Sequence, residues 1–133
     1  MRKRSRFFML SWSAVAFYCV FIFFLSSFPR PIPFLDPKKY PPDWILHIVE
    51  YMLLGWLLAR ALTLPMSRRS RIWIFAAALL LGTLYAVSDE WHQSFVPQRE
   101  SSLHDVMADA AGILMGVEWW LHQRKPKERG KVV

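Results

Sequence analysis

The chain has 133 residues, of which 54% are hydrophobic and 16% aromatic, and it carries a net charge of +7. This length fits one domain, and the apolar content is high for a soluble protein. The charge does not indicate nucleic-acid binding, because the basic residues lie in short blocks beside apolar runs and not along a stripe with stacking aromatics. The single cysteine, Cys19, lies inside an apolar run and is interpreted as a small buried hydrophobe. We therefore expect one membrane domain covering residues 1–133.

The first predicted element is a transmembrane helix at about 7–28. Four basic residues precede Phe7, and the 22 residues from Phe7 to Phe28 carry no charge. About 20 such residues span a bilayer as a helix. A cleaved signal peptide is the alternative, but its apolar core is only about 7–15 residues long and ends at a small-residue cleavage site. The sequence LSSFP at the end of this run is a poor cleavage site, which favours a retained helix.

The middle of the chain predicts two further spans. Six prolines between residues 29 and 42 indicate a connection without helix. Apolar sequence then runs from Trp44 to Leu64, which predicts a second span at 44–64. The 17 uncharged residues from Ile72 to Ser88 predict a third at about 72–89. A loop from Glu90 to Ser102 is expected to follow, with Pro97 as its turn-forming residue.

The fourth predicted span, at about 103–121, contains several ionisable residues. Hydropathy alone rejects it, because each aspartate at the centre of a helix costs about 2.5–3.5 kcal/mol of insertion free energy. We still predict a span because its polar residues cluster at the two ends, Trp119 and Trp120 form an interfacial anchor, and a basic tail at 122–133 follows. The two glycines of a Gly-x-x-x-Gly motif would let one face approach a neighbouring helix closely. That face carries, at spacings i, i+4, i+7 and i+11, Asp105, Asp109, Gly112 and Gly116.

The lysines and arginines predict the orientation of these four spans. The side that holds both termini and the loop at 65–71 carries 13 basic residues, and the other side carries 4. Positively charged loops remain in the cytoplasm. The sequence therefore predicts an all-α, multi-pass bundle of four transmembrane helices with both termini cytoplasmic.

This topology brings ionisable residues from three regions of the chain to the outer membrane face. Spans two and four enter there, span three ends there, and intramembrane charges are costly enough to indicate a functional site. Five of these residues are acidic, and Arg99 is the only fixed cation nearby, so the site holds protons, a bound cation or charged histidines. The residues predicted to meet are His47, Glu50, Tyr51, Asp89, Glu90, Arg99, Asp105 and Asp109.

Simpler interpretations remain open for some of these residues. Asp105 and Glu100 are also explained as acids in the first turn of a helix, with Ser101 or Ser102 as the N-cap. His92 and His104 are also explained as interfacial residues without a role. Most of the tryptophans and phenylalanines are expected to face lipid.

The motifs resemble those of the VanZ-like membrane proteins. The resemblance rests on Asp89-Glu90-x-x-Gln93-x-Phe95-x-Pro97-x-Arg99, followed by Asp105-Val106 and by Gly112-x-x-x-Gly116. Two earlier motifs, Ser26-Ser27-x-Pro29 and His47-x-x-Glu50-Tyr51-x-x-x-Gly55, also match, so that the resemblance covers about residues 25–117. The chain has Asp109 where the family usually has Asn, and Gln98 where Gly is common.

This resemblance implies a bacterial cytoplasmic-membrane protein linked to the cell envelope, because the family is named for a protein that confers low-level resistance to the glycopeptide teicoplanin. It also adds Gln93 to the predicted ligand-binding residues. The favoured hypothesis is a non-enzymatic protein whose outward acidic site binds a ligand or lipid head group. A cationic group or a metal-bridged pyrophosphate would suit the charges, with Arg99 on the phosphate oxygens.

Three alternatives to this hypothesis remain. A membrane-embedded enzyme acting on a lipid-linked cell-wall or phospholipid substrate could use paired acids with His47 or His92 as acid–base groups, with or without a divalent cation. A proton-coupled transporter could use the acids as a relay. In a structural scaffold, the charges would only hold the helices together.

Overall fold

The computed structural model describes residues 2–29, 41–63, 70–99 and 101–124. Within these ranges the protein contains four helices and no strand: α1 (Arg2–Ser26), α2 (Asp43–Thr63), α3 (Arg71–Gln93) and α4 (Leu103–Gln123). This confirms the prediction of an all-α chain with four helices. The proline-rich connection with Lys38 and Lys39, most of the basic loop, Glu100 and the tail beyond residue 124 lie outside the described residues.

The end of α3 differs from the prediction. The helix continues to Gln93, so that Glu90 and Gln93 lie on α3 and the loop begins at Ser94. The sequence between Asp89 and Gln93 is polar, which resembles a loop, but it contains no glycine or proline that would end a helix. The Gln93 side chain also donates a hydrogen bond of 2.9 Å to Asp89, one turn earlier, which stabilises this last turn.

The four helices alternate in direction. α1 and α3 run one way, and α2 and α4 run the other way, so that the C-terminal ends of α1 and α3 meet the N-terminal ends of α2 and α4 at one end of the bundle. Pairs of contacts establish these directions: Tyr18–Glu50 and Phe7–Arg60 for α1 and α2, Cys19–Tyr85 and Ser26–Asp89 for α1 and α3, His47–Asp109 and Trp56–Trp120 for α2 and α4, and Arg71–Glu118 and Glu90–Ser102 for α3 and α4.

α2 and α4 pack backbone to backbone. A Cβ atom built on Gly116 would overlap the Met52 carbonyl oxygen, and one built on Gly112 would meet the Ile48 carbonyl oxygen. So close an approach requires residues without a side chain, which explains the Gly-x-x-x-Gly motif of α4. It also holds the buried face of α4, which includes Asp109, against α2.

Three helices are long and apolar enough to cross a membrane. They are Ser5–Ser26, Asp43–Thr63 and Arg71–Gln93, with mean hydropathies of 2.1, 1.5 and 1.7. Their outer surfaces carry large apolar side chains such as Phe17 and Leu84, which are 74% and 60% exposed. Side chains of this kind are suited to contact with lipid. α4 does not meet the same criterion, as its acidic residues led us to expect.

Candidate functional site

The nine predicted site residues all lie at the same end of the bundle. His47, Glu50 and Tyr51 lie in the first turns of α2, and Asp105 and Asp109 lie in the first turns of α4. The last turn of α3 provides three more residues, and the α3–α4 loop provides one: Asp89, Glu90, Gln93 and Arg99.

A buried pair lies at the centre of this end. His47 Nδ1 and Asp109 Oδ1 are 2.9 Å apart, and their side chains are 5% and 1% exposed. Glu90 lies beside them: one ligating atom each from Glu90, His47 and Asp109 falls within 4.8 Å of the others. The Glu90 Oε2 atom accepts a 2.7 Å hydrogen bond from the backbone N–H of Ser102, the N-cap of α4. Three helices thus contribute one ionisable side chain each to the same buried position.

Asp89 forms a second cluster with residues of α1 and α3. Its Oδ2 atom accepts hydrogen bonds from Ser26 Oγ at 2.8 Å and from Gln93 Nε2 at 2.9 Å, and all three residues are buried. Ser26 was not among the predicted site residues, although it belongs to the Ser26-Ser27-x-Pro29 motif. A serine near the C-terminal end of an apolar span, at the same membrane face as the acids, is the signal that could have identified it.

Arg99 contacts one carboxylate and one backbone carbonyl group at this end of the bundle. Its Nε–H donates to the Phe28 carbonyl oxygen at 3.2 Å. Its Nη1 atom lies 3.9 Å from Asp43 Oδ2 and forms an ion pair with it. Asp43 is a second residue that the sequence reasoning missed. It lies four residues before His47, so the two share one helical face.

Asp105 is the predicted site residue in the first turn of α4. It is partly exposed in the first turn of α4, and one atom each from Asp105, Asp43 and His47 lies within 4.8 Å of the others. Ser102 caps this helix, since its hydroxyl accepts from the backbone N–H of His104 at 3.1 Å. A carboxylate in this position is also favoured by the helix dipole, which agrees with the interpretation of Asp105 as an acid in the first turn of a helix.

Several buried polar atoms of the site have no hydrogen-bond partner among the described residues. A buried polar atom without a partner costs about 1–3 kcal/mol, and most such atoms in native proteins bind something. They are Glu50 Oε1, Tyr51 OH, Asp89 Oδ1 and Glu90 Oε1. Four unpaired oxygens at one end of the bundle indicate a site that can accept a hydrogen-bond donor or a cation.

A groove of about 450 Å³ between α1 and α2 is lined by four of the predicted site residues, His47, Glu50, Gln93 and Arg99. One part of its wall is apolar and includes Phe21, Val49 and Leu53, which are 44%, 57% and 41% exposed on the outer surface of the bundle. The other part of its wall is polar and consists of Ser26, Asp43, His47, Glu50, Gln93 and Arg99.

A second cavity, of about 480 Å³, lies beside Asp89, between α1 and α3. Aromatic side chains, including Phe23, Trp91 and Phe95, form most of its wall. His92 also lines it, with its ring 4.2 Å from the Phe23 ring and its Nε2 atom 3.1 Å from Ser27 Oγ.

The family model of VanZ/LLP1 matches residues 7–122. The chain belongs to this family. Neither the comparison with curated proteins nor that with solved structures finds a match. The VanZ/LLP1 assignment confirms the resemblance that the motifs indicated, and it agrees with three helices suited to a membrane.

The structure explains why glycine is common in the VanZ-like pattern at the position of Gln98. Gln98, which occupies a position where Gly is common, has a φ of 67° and is the one non-glycine residue with positive φ in the described ranges. Glycine adopts this conformation without steric cost, whereas other residues do not. The other departure, Asp109, lies opposite His47 and makes that contact a carboxylate–imidazole pair.

Proposed function

We propose that this VanZ/LLP1 protein is a multi-pass protein of the bacterial inner membrane whose polar site binds the head group of a membrane amphiphile at the extracytoplasmic face. In this proposal all four helices span the membrane, both termini are cytoplasmic, and residues 1–133 form one domain with a basic cytoplasmic tail. The distribution of 13 basic residues on one side and 4 on the other supports the orientation. The packing of α4 against α2 supports a fourth span, because it removes Asp109 from lipid.

The groove between α1 and α2 is the observation that supports this function best. An amphiphile needs an apolar surface for its chains and a polar surface for its head group, joined without a barrier. The groove provides both, because its lining includes Val49 and Leu53 as well as Glu50 and Arg99. The volume of about 450 Å³ lies within the range of about 300–1,000 Å³ found for ligand pockets.

The charges of the polar wall favour a head group that carries both signs. The Arg99 side chain is 10% exposed and offers a fork of N–H donors suited to phosphate oxygens. Asp43 and Glu50 line the same wall and would attract an ammonium group. A phosphate with a nearby amine, or a pyrophosphate bridged by a divalent cation, satisfies both requirements.

Binding of such a head group would connect the site to glycopeptide tolerance. Glycopeptides act on membrane-anchored wall precursors at the outer face, so a protein that binds those precursors or the surrounding lipid there would reduce the access of the drug. In this proposal the ligand-binding residues are those predicted from the sequence, together with Ser26 and Asp43.

A membrane-embedded enzyme acting on a lipid-linked cell-wall or phospholipid substrate is the second candidate. The observation that favours it is the buried pair of His47 and Asp109 beside the groove, because a histidine oriented by a carboxylate can serve as a general base. Incubation of the purified protein with lipid-linked precursors, with and without a chelator, separates the candidates. Product that accumulates in proportion to enzyme supports catalysis, and unchanged substrate that stays bound supports the binding function.

Native mass spectrometry of the purified protein tests the binding function. The protein is released from detergent after incubation with phosphatidylethanolamine, phosphatidylglycerol or a polyprenyl pyrophosphate. We expect one amphiphile class to stay bound to the wild type and to be lost from Glu50→Gln and Arg99→Gln. Glu118→Gln is the matched control, because Glu118 is half-exposed near the opposite end of the bundle. Equal retention of every lipid by all four proteins would contradict a specific site.

Tolerance measurements test the link to the envelope. Asp89→Asn keeps an oxygen that can accept from Ser26 while removing a charge, so we expect normal amounts of protein in the membrane and reduced tolerance to teicoplanin. Loss of the folded protein in Asp89→Asn would instead support a structural scaffold.

A further inference from the structure

The buried position shared by α2, α3 and α4 has the composition of a metal site. We propose that His47, Glu90 and Asp109 bind a divalent transition-metal ion of the zinc or manganese type. This inference goes beyond the proposed lipid-binding function, because it assigns three of the proposed ligand-binding residues to a metal ion, and its test uses no lipid.

The three side chains are held in place by the fold. Each comes from a different helix, and the residues are between 1% and 6% exposed. Their ligating atoms lie within 4.8 Å of one another, with 2.9 Å between His47 Nδ1 and Asp109 Oδ1. Because zinc bonds to nitrogen and oxygen are about 2.0–2.2 Å long, shifts of under about 1 Å per atom would bring all three to bonding distance, with release of the proton shared by His47 Nδ1 and Asp109 Oδ1.

Glu90 provides an independent indication of a ligand. Its carboxylate is buried, and Oε2 accepts from the Ser102 N–H, but Oε1 has no partner in the described ranges. The hydrogen bond from Ser102 holds the carboxylate at this position. A metal ion at the cluster would provide the missing interaction, in the way that hydrogen-bonded carboxylates are oriented in known metal sites.

The surrounding charges also favour a cation. Asp89 and Glu50 both interact electrostatically with Asp109, and each has an unpaired buried oxygen in the part of the chain that the structure describes. Carboxylates concentrated in a low dielectric require compensation. An ion of charge +2 supplies it at the centre of the group.

The donor atoms indicate which metal binds. One imidazole nitrogen and two carboxylate oxygens suit zinc or manganese, whereas magnesium and calcium prefer oxygen donors alone. Three protein ligands leave zinc at least one coordination position for water or for another molecule. The Asp43, His47 and Asp105 group shares His47 but is more exposed, and we do not assign a second ion to it.

Metal titration of the purified protein tests this proposal. The protein in detergent is stripped with a chelator and titrated with Zn²⁺, Mn²⁺ or Mg²⁺ alone, and bound metal is measured by elemental analysis after equilibrium dialysis. We expect about one zinc or manganese ion per chain, and binding of Mg²⁺ weaker by about a hundredfold or more. Absence of bound zinc and manganese, or equal binding of Mg²⁺, would overturn the proposal.

The Glu90→Gln variant provides the test at residue level. Glutamine keeps an oxygen that can accept from Ser102, so the fold is expected to persist, which circular dichroism and size-exclusion chromatography would verify. Loss of even an outer partner of a metal site costs about 10–100-fold in affinity, so loss of a ligand should cost at least tenfold. Glu118→Gln, near the opposite end, should bind metal as the wild type does. Unchanged affinity in Glu90→Gln would place the bound metal elsewhere, for example at Asp43, His47 and Asp105, and would overturn the proposal.

The metal result and the lipid result can be separated. Lipid binding is measured on the chelator-stripped protein both without and with added Mg²⁺, and metal binding is measured without added lipid. A protein that binds lipid and no zinc would overturn the metal site alone, and the reverse result would overturn the groove alone.

Discussion

His47 Nδ1 and Asp109 Oδ1 lie 2.9 Å apart, although the two residues are 62 positions apart in the chain. This contact joins the first turns of α2 and α4 and places a carboxylate inside the bundle. It requires that the two helices run in the same direction and in one register, which the glycines of α4 permit. The pair therefore connects the packing of the bundle to the chemistry of the site.

The first prediction concerns the two partners of this pair. His47→Ala leaves the Asp109 carboxylate buried without its partner and should lower the free energy of unfolding by about 3–5 kcal/mol. Asp109→Asn keeps an oxygen that can accept from the imidazole and should cost about 1 kcal/mol. Chemical denaturation in detergent, followed by circular dichroism, measures both.

The half-exposed ion pair of Arg71 and Glu118 is the control for this comparison. Its atoms are 2.8 Å apart, and the side chains are 47% and 50% exposed, so that Arg71→Ala should cost at most about 1 kcal/mol. Equal losses for His47→Ala and Arg71→Ala would show that the buried pair contributes no more than a surface pair.

The second prediction concerns the close packing of α2 and α4. Gly116→Val places a side chain against the Met52 carbonyl oxygen, which lies in backbone and cannot move aside as a flexible side chain would. We expect the two helices to separate and the protein to lose its thermal transition or to aggregate on size-exclusion chromatography. Ala111→Val, on the exposed face of the same helix, should behave as the wild type. A normal transition in Gly116→Val would contradict this packing.

The third prediction concerns the strained loop residue. Gln98 has a φ of 67°, a conformation that costs a residue with a side chain about 1–2 kcal/mol. Gln98→Gly should therefore raise the free energy of unfolding, by about 0.5–1 kcal/mol after the entropy lost by glycine is subtracted. Gln98→Ala should bring no such gain, because alanine has the same steric conflict. A gain of equal size in both variants would assign the effect to the loss of the side chain.

The fourth prediction concerns orientation. With Cys19→Ser as background, Gln98→Cys lies in the α3–α4 loop, and Arg124→Cys follows α4 at the other end of the bundle. We expect a membrane-impermeant thiol reagent to label Gln98→Cys in intact cells and Arg124→Cys only after lysis. The opposite pattern would place the acidic site on the cytoplasmic side and remove the connection with extracytoplasmic glycopeptides.

The sequence predicted the helices and their common polar end well, because long uncharged runs, prolines and basic blocks each determine structure or orientation in their own part of the chain. It predicted the end of α3 poorly, since a polar last turn such as Asp89 to Gln93 is held by side-chain contacts that hydropathy does not register. Topology alone predicted that His47 and Asp109 would lie at the same depth. The ligand-binding role of the nine residues stays a prediction.

The partners of individual side chains were harder to predict. Arg99 pairs with Asp43, which was not among the predicted residues, and its Nε–H donates to the Phe28 carbonyl oxygen, because a helix end leaves backbone acceptors that no sequence pattern marks. Ser26 contacts Asp89 across 63 positions, which requires α1 and α3 to lie side by side in the same direction. The groove also depends on how α1 lies against α2, so the sequence of neither helix alone predicts it.

The most direct test of the central proposal is photo-crosslinking of lipid in native membranes. A photoreactive phenylalanine analogue replaces Leu53 in the groove wall or, as a control, Leu84 on the outer surface of α3. We predict that the Leu53 position captures one class of amphiphile far above its share of the membrane lipids, and that Glu50→Gln abolishes this enrichment. The Leu84 position should capture lipids in proportion to their abundance. Identical lipid profiles at the two positions would contradict a specific binding groove.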